Sequence, residues 1–244
     1  MITLTSGPHV GVLALQGAVA EHVAILEGLG ARVILVRTAD DLDAVDGLVI
    51  PGGESTAMAR LAAGTGLFGA IRSRIDDGSL AVFGTCAGLI LLADDIDPAG
   101  SLRETIGGLP VRVTRNGFGN QLASFEAELD LADSSSDIKS GSGATQVDSE
   151  FQGITATAPK ISEITPTSGS GSQTLNSAAP RTRHLRVAFI RAPRITEVGD
   201  EVRVLASYEG EAVVVEYRNL LAATCHPEIT GETQLHARFL DLVL

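Results

Sequence analysis

Tryptophan is absent from the chain, and Phe and Tyr bring the aromatic fraction only to 4%. Any core must therefore be built from Val, Leu, Ile and Ala, and a 44% hydrophobic content over 244 residues is enough to build one. Basic residues are scarce too: 18 Lys and Arg stand against 30 Asp and Glu, for a net charge of −12. A surface of that sign argues against general nucleic-acid binding. Cysteine occurs twice, at Cys86 and Cys225, so one disulfide is the most the chain could form. No apolar run is long enough to span a bilayer. The first residues, Met1-Ile2-Thr3-Leu4-Thr5, lack a basic segment followed by a cleavage site. The expectation is a cytoplasmic protein, off the membrane, with both thiols reduced. No metal-ligand spacing links His9, His22, His184 and His236, so no metal or other cofactor is expected, and these histidines read as solvated surface residues.

What the chain does contain is short apolar runs alternating with helical patterns. Val10 to Leu15, Arg32 to Val36, Gly47 to Ile50 and Leu80 to Phe83 read as strands. Between them, Val19 to Leu29 carries apolar residues at helical spacing, Asp40 to Val45 reads as a short helical segment, and helices are expected over Met58 to Leu61 and Leu67 to Ile75. This alternation predicts βαβ units and an α/β fold with a mostly parallel, doubly wound sheet. After Ala93 the pattern changes. Val111 to Thr114 and Ser124 to Leu129 alternate like strands of a mixed or antiparallel part, and Val202 to Ala206 and Ala212 to Tyr217 alternate like a hairpin. Leu185 to Ile190 and Leu220 to Cys225 read as further strands, and Thr233 to Leu244 as a closing amphipathic helix.

From about Ala132 to Thr182 the composition collapses into Ser, Gly, Thr and Ala, interrupted by Pro159, Pro166 and Pro180. Such a stretch cannot bury enough apolar surface to offset the entropy of ordering it. It reads as a mobile surface insertion in a single domain covering 1–244.

Cys86 stands between the predicted strand Leu80 to Phe83 and the apolar run Leu89 to Ala93, which reads as the first turns of a helix, with Gly84 and Gly88 two residues away on either side. This is the spacing of a nucleophile elbow with cysteine in place of serine. A side chain pushed out at the apex of a tight, exposed turn leaves no room for Cβ atoms beside it. The N-terminal end of a helix also favours a thiolate. By itself a cysteine after a strand equally suits a small buried hydrophobe. His226 ends another predicted strand, and Glu228 follows it by two residues, which suits a base and its orienting carboxylate. Cys225 should point to the opposite face and belong to the core. Pro51-Gly52-Gly53-Glu54-Ser55 closes a third strand, where paired glycines either expose N–H groups to an oxyanion or make a tight turn.

Together Gly84-Thr85-Cys86-Ala87-Gly88, Pro51-Gly52-Gly53-Glu54-Ser55-Thr56 and His226-Pro227-Glu228 resemble the triad-type (class I) glutamine amidotransferases. Leu13-Ala14-Leu15-Gln16-Gly17, Arg115-Asn116-Gly117-Phe118-Gly119, Ser124-Phe125-Glu126-Ala127 and Phe189-Ile190-Arg191-Ala192-Pro193 narrow the resemblance to the PdxT/SNO family, the glutaminase subunits of pyridoxal 5′-phosphate synthase. The resemblance implies a flavodoxin-like three-layer sandwich. It implies that Cys86 attacks the side-chain amide of L-glutamine, that His226 relays the proton, and that Glu228 orients His226. It places the oxyanion hole at the backbone N–H groups of Gly53 and Ala87, and glutamine against Gly53, Glu54, Ser55, Arg115, Ile190 and Arg191. It further implies a hetero-oligomer with a lyase-type synthase subunit that receives the ammonia to make the vitamin B6 cofactor. Gln16 ends the first strand, and parallel strands share a crevice at their carboxyl ends, so Gln16 is expected near Cys86 and the rim where a partner docks, with a role in activation by it. Gly52-Gly53 would let the oxyanion hole stay misaligned until the partner docks. Departures from the family pattern fall at Ala18, Gly117 and Asn120, and in the length between Leu131 and His184. An amidotransferase serving another acceptor, a cysteine peptidase on the same sheet and an inactive regulatory module remain open alternatives.

Overall fold

A computed structural model describes residues 7–98, 102, 104–115, 117, 124–132 and 183–244. The Ser/Gly-rich segment expected to be an insertion lies outside them from 133 to 182, as do Asn116, Phe118, Gly119 and Asn120.

The first half alternates as its sequence dictates. Strand β1 (His9–Leu13) leads to helix α1 (Val19–Gly28), then β2 (Arg32–Val36), a 3-10 turn at Asp40–Ala44, and β3 (Gly47–Ile50). Helices α2 (Ser55–Ala62) and α3 (Leu67–Asp76) follow, then β4 (Ala81–Thr85) and α4 (Ala87–Leu92). The second half is richer in strand: β5 (Ala93–Asp97), β6 (Leu109–Thr114), β7 (Phe125–Leu131), β8 (Arg183–Phe189), β9 (Arg194–Val198), β10 (Arg203–Tyr208), β11 (Glu211–Tyr217) and β12 (Leu220–Ala223), closed by α5 (Gln234–Val243). Neither β5 nor β9 was expected. Ala93–Asp97 carries three aspartates and Arg194–Val198 mixes charges with apolar residues. Both are strands because β6 pairs with each of them, in parallel with β5 and antiparallel with β9.

The main sheet has seven strands in the order β10-β11-β12-β4-β3-β1-β2. Its five strands from β12 to β2 run parallel, while β11 and β10 add antiparallel hairpins at one edge. Strands β3, β4 and β12 are buried at every position, which is why they read as unbroken apolar runs without alternation. Alternate residues serve opposite faces. Leu48, Ile50, Val82 and Ala222 pack with Met58 of α2, Phe68 and Ile71 of α3, and Leu89 and Leu92 of α4. Val49, Phe83, Leu221 and Ala223 pack with Leu26 of α1, Leu235 and Phe239 of α5, and Leu129 and Val187 of the β7–β8 ladder. The result is a three-layer α/β sandwich, mostly parallel, as expected. With no tryptophan, four fully buried phenylalanines (Phe68, Phe83, Phe189 and Phe239) are the largest core side chains. Each contributes roughly 2–3 kcal/mol by burial. Among the described residues no helix is long and apolar enough to cross a membrane.

Candidate active site

Parallel strands end at a common edge, and residues just beyond their carboxyl ends share a crevice. Register makes that crevice specific. Thr85 of β4 pairs with Ala223 of β12, and Gly84 with Ile50 of β3. Cys86 therefore follows the middle strand, with Gly53 three residues beyond one neighbour and His226 three beyond the other. Two backbone contacts hold this arrangement. The Cys86 N–H donates to the Ala223 carbonyl at 2.8 Å. The His226 N–H donates to the Ala188 carbonyl at 2.7 Å, an isolated bridge that ties the turn after β12 to β8.

Cys86 adopts φ 47° and ψ −96°, a left-handed backbone that costs a non-glycine residue on the order of 1–3 kcal/mol and marks an elbow under strain. The flanking glycines are required by space. A Cβ on Gly84 would stand 2.7 Å from the carbonyl carbon of Gly88, and one on Gly88 would stand 2.2 Å from the Ile50 carbonyl oxygen. One expectation is corrected: the turn is not exposed. Cys86 is 5% accessible and its Sγ lies 4.0 Å from the Ile190 carbonyl oxygen, because β8 and the residues after it cover the elbow.

His226 and Glu228 meet as their spacing suggests, with the Nδ1–H of His226 donating to Glu228 Oε1 at 2.7 Å. Burial opposes a charge on this ring. Hydrogen bonding with Cys86 and Glu228, and the charges of both, outweigh burial and push the pKa of His226 up to about 10. Gly52 matters here by its lack of a side chain, since a Cβ there would lie 2.2 Å from His226 Cε1. The Gly52 carbonyl in turn accepts from the Ala18 N–H at 3.0 Å. In this conformation Gly52 thus lies between the His226 ring and the first-strand loop.

A pocket at this edge is lined by Gly53, Glu54, Ser55, Cys86, Ile90, Arg115, Ile190, Arg191 and His226. All six residues expected to hold glutamine are among them. Glu54 caps α2, its carboxylate accepting from the Thr56 N–H at 2.9 Å and the Ala57 N–H at 2.7 Å. Burial raises its pKa, but these hydrogen bonds and the charge of Arg115 prevail and hold it below the ordinary value. Arg115 reaches across to donate to Thr56 Oγ1 at 3.0 Å, with Glu54 Oε1 3.5 Å away. Arg191 has φ 49° and is exposed, with no ion pair among the described residues. Cys86 and Arg191 thus bring two left-handed non-glycine residues to one pocket.

Three expected residues do not line it. Glu228, 4% accessible, stands behind His226. Ala87 opens α4 with its methyl in the core. Gln16 lies under the Gly53–Glu54 turn, where its Oε1 accepts from the Glu54 N–H at 2.7 Å. Cys225 is fully buried in the apolar cluster behind the sheet, as expected, and burial, then the nearby charge of Glu228, push its thiol far above the ordinary range.

The histidines require a second correction. His184 is exposed, but His22 and His236 are fully buried. They lie together behind Glu228, where α1 and α5 cross the same face of the sheet. His22 Nδ1 is 2.8 Å from His236 Nε2, and His22 Nε2 is 3.2 Å from Thr85 Oγ1. Helical spacing placed His22 one residue before Val23, and it read as polar and therefore outward. Phe83, whose ring meets His236 edge-on at 5.4 Å, and the polar groups of Thr85 and Glu228 make an interior place for it instead. Ile90, a wall of the pocket, was also missed, since it belongs to an apolar run whose other members are core.

Residues 12–179 and 173–244 match the model of the SNO glutamine amidotransferase family. The chain is 43% identical over 238 residues to the pyridoxal 5′-phosphate synthase subunit PdxT of Clavibacter michiganensis subsp. michiganensis, covering 97% of this chain and 91% of that one. It is 40% identical to the PdxT subunit of a Nocardioides species, with 98% of each chain covered, so the length of this chain is matched there. A crystal structure of a glutamine amidotransferase superposes with a TM-score of 0.72 at 34% identity, over 96% of this chain and 98% of that one. The chain belongs to the SNO glutamine amidotransferase family.

Proposed function

We propose that the protein hydrolyses L-glutamine to L-glutamate and ammonia and delivers the ammonia to the lyase subunit of pyridoxal 5′-phosphate synthase. The observation that carries this reading is the convergence of Cys86, His226 and the six expected binding residues on one pocket, with Glu228 hydrogen-bonded behind His226. The sulfur of Cys86 attacks the side-chain amide carbon. The negative charge that develops on the amide oxygen is met by the backbone N–H groups of Gly53 and Ala87. The imidazolium of His226 gives its proton to the departing nitrogen, and ammonia leaves. A water then gives its proton to the now neutral His226 and attacks the thioester, releasing glutamate and restoring the thiolate–imidazolium pair. Glu228 keeps the ring oriented throughout. Arg191 and Arg115 attract the substrate carboxylate and Glu54 accepts from its ammonium group.

The relatives, which are pyridoxal 5′-phosphate synthase subunits, support that acceptor. Gln16 ties the first-strand loop to the Gly53–Glu54 turn and so couples a docked partner to an oxyanion donor. The test is ammonia release from glutamine by the chain alone and with the synthase subunit. Release that rises on adding the partner, and rises less in Gln16→Ala, is expected. Absence of release with saturating partner, or cleavage of peptides instead, overturns the reading.

A further inference from the structure

Behind the pocket lies a buried polar cluster of which the proposed chemistry uses only Glu228. Glu228 has two carboxylate oxygens, and only Oε1 faces His226. Its Oε2 is buried with no hydrogen-bond partner among the described residues. His22 Nε2 stands 3.6 Å from that oxygen, both side chains being fully buried. The same nitrogen is 3.2 Å from Thr85 Oγ1. A buried carboxylate oxygen without a donor is costly, and a group that turned to satisfy it would swing the carboxylate away from His226.

The groups around His22 decide how it can respond. His236 faces it from α5, Thr85 from β4, and Glu228 and His226 from the turn after β12. Burial, then the neighbouring His236 and His226, hold His22 far below its ordinary pKa, so the ring is neutral and carries one proton. A carboxylate oxygen on the Nε2 side selects the tautomer with that proton on Nε2. Nδ1 is then an acceptor and takes the Nε2–H of His236 at 2.8 Å. This arrangement requires the proton of His236 to sit on Nε2, leaving its buried Nδ1 without a hydrogen-bond partner among the described residues.

We propose that His22 is a positioning residue for Glu228: its Nε2–H, shared between Thr85 Oγ1 and Glu228 Oε2, keeps the carboxylate turned with Oε1 toward His226. The 3.6 Å separation is longer than a hydrogen bond, with Thr85 Oγ1 nearer the same nitrogen at 3.2 Å, and the positioning role requires the Glu228 contact to shorten when substrate is bound. The proposal rests on the glutaminase reading for its effect on turnover, but not for its effect on His226.

The test compares wild type, His22→Leu and His22→Gln, each with the synthase subunit for kinetics and alone for titration. In His22→Leu the carboxylate loses its donor, so kcat for ammonia release should fall about tenfold with KM unchanged. The titration midpoint of His226, followed through its ring resonances, should fall by about one unit, because the Glu228 hydrogen bond that raises it is loosened. The Gln side chain offers an N–H in a similar place and should restore both. His236→Leu, which removes the partner of His22 Nδ1, should move both in the same direction by less, and it serves if His22→Leu does not fold. Unchanged kcat and His226 titration with only a lower Tm would make His22 structural and overturn the proposal, as would failure of Gln to restore either. If wild type released no ammonia yet the His226 midpoint moved as stated, the glutaminase reading would fail and the positioning role would stand.

Discussion

Two thiols follow neighbouring parallel strands, Cys86 after β4 and Cys225 after β12, and the two places treat the same functional group in opposite ways. After β4 the chain turns at once into a helix through a left-handed residue, so the side chain is thrown over the sheet edge into a pocket beside His226. After β12 the chain bends at once, at Thr224 and Cys225, yet Cys225 stays on the face of Leu221 and Ala223 and enters the same apolar layer. Burial there leaves its thiol protonated, while Cys86 faces an imidazolium. The same functional group therefore faces a polar pocket or an apolar layer according to the path of the chain over two residues.

The largest test of this contrast is Cys86→Ala, which should lower glutamine turnover by about a million-fold while leaving cooperative unfolding intact. Equal activity in this variant and wild type would remove Cys86 as nucleophile. Next is Gly52→Ala. A methyl 2.2 Å from His226 Cε1 must displace the ring, and a displacement of about 1 Å costs on the order of a hundredfold in turnover. Turnover near wild type would show that the turn yields more easily than its packing implies.

A third test concerns the layer that holds Cys225. Burial lowers the pKa of His236 to about 4, and of His22 well below its ordinary 6.5. Unfolding lets both take protons once the pH drops below 6.5. Their contribution to stability is thus complete above 6.5 and is lost as pH falls toward about 4, with His236 alone amounting to about 3 kcal/mol. Carboxylates also titrate in part of this window, so the measurement is a difference: denaturant unfolding of wild type and His236→Leu over this pH range. The wild-type curve should fall more steeply, and parallel curves would refute the assignment. The smallest effect is expected for Cys225→Ala. It should keep turnover within about twofold and cost about 1 kcal/mol by loss of packing. A large loss of activity would reverse the assignment of the two thiols.

Much of this was legible along the chain because it is local. β2 and β3 occupy the residues that their apolar runs predict, and α3, α4 and α5 differ from expectation only at their ends. Gly84 and Gly88 mark the elbow because crowding at a tight turn involves residues two positions apart. His226 and Glu228 meet because two residues is the right reach for a ring and a carboxylate across a turn. The strands β5 and β9 were not legible, since their charged sequences become strands only by pairing with β6. His22 and His236 were misread as surface residues, because a polar side chain on a helix reads as outward until its neighbours are known.

The sequence by itself determined the alternation of strands and helices, the elbow and the candidate nucleophile, base and carboxylate. All of these depend on backbone geometry and side-chain chemistry within a few residues. Only the tertiary structure decided that β12 lies beside β4, and therefore that a histidine 140 residues along the chain reaches Cys86. It also decided that α1 and α5 bury two histidines behind Glu228. Strand order and helix crossing are set by how apolar faces far apart in the chain cover one another, and no short window of sequence contains that information.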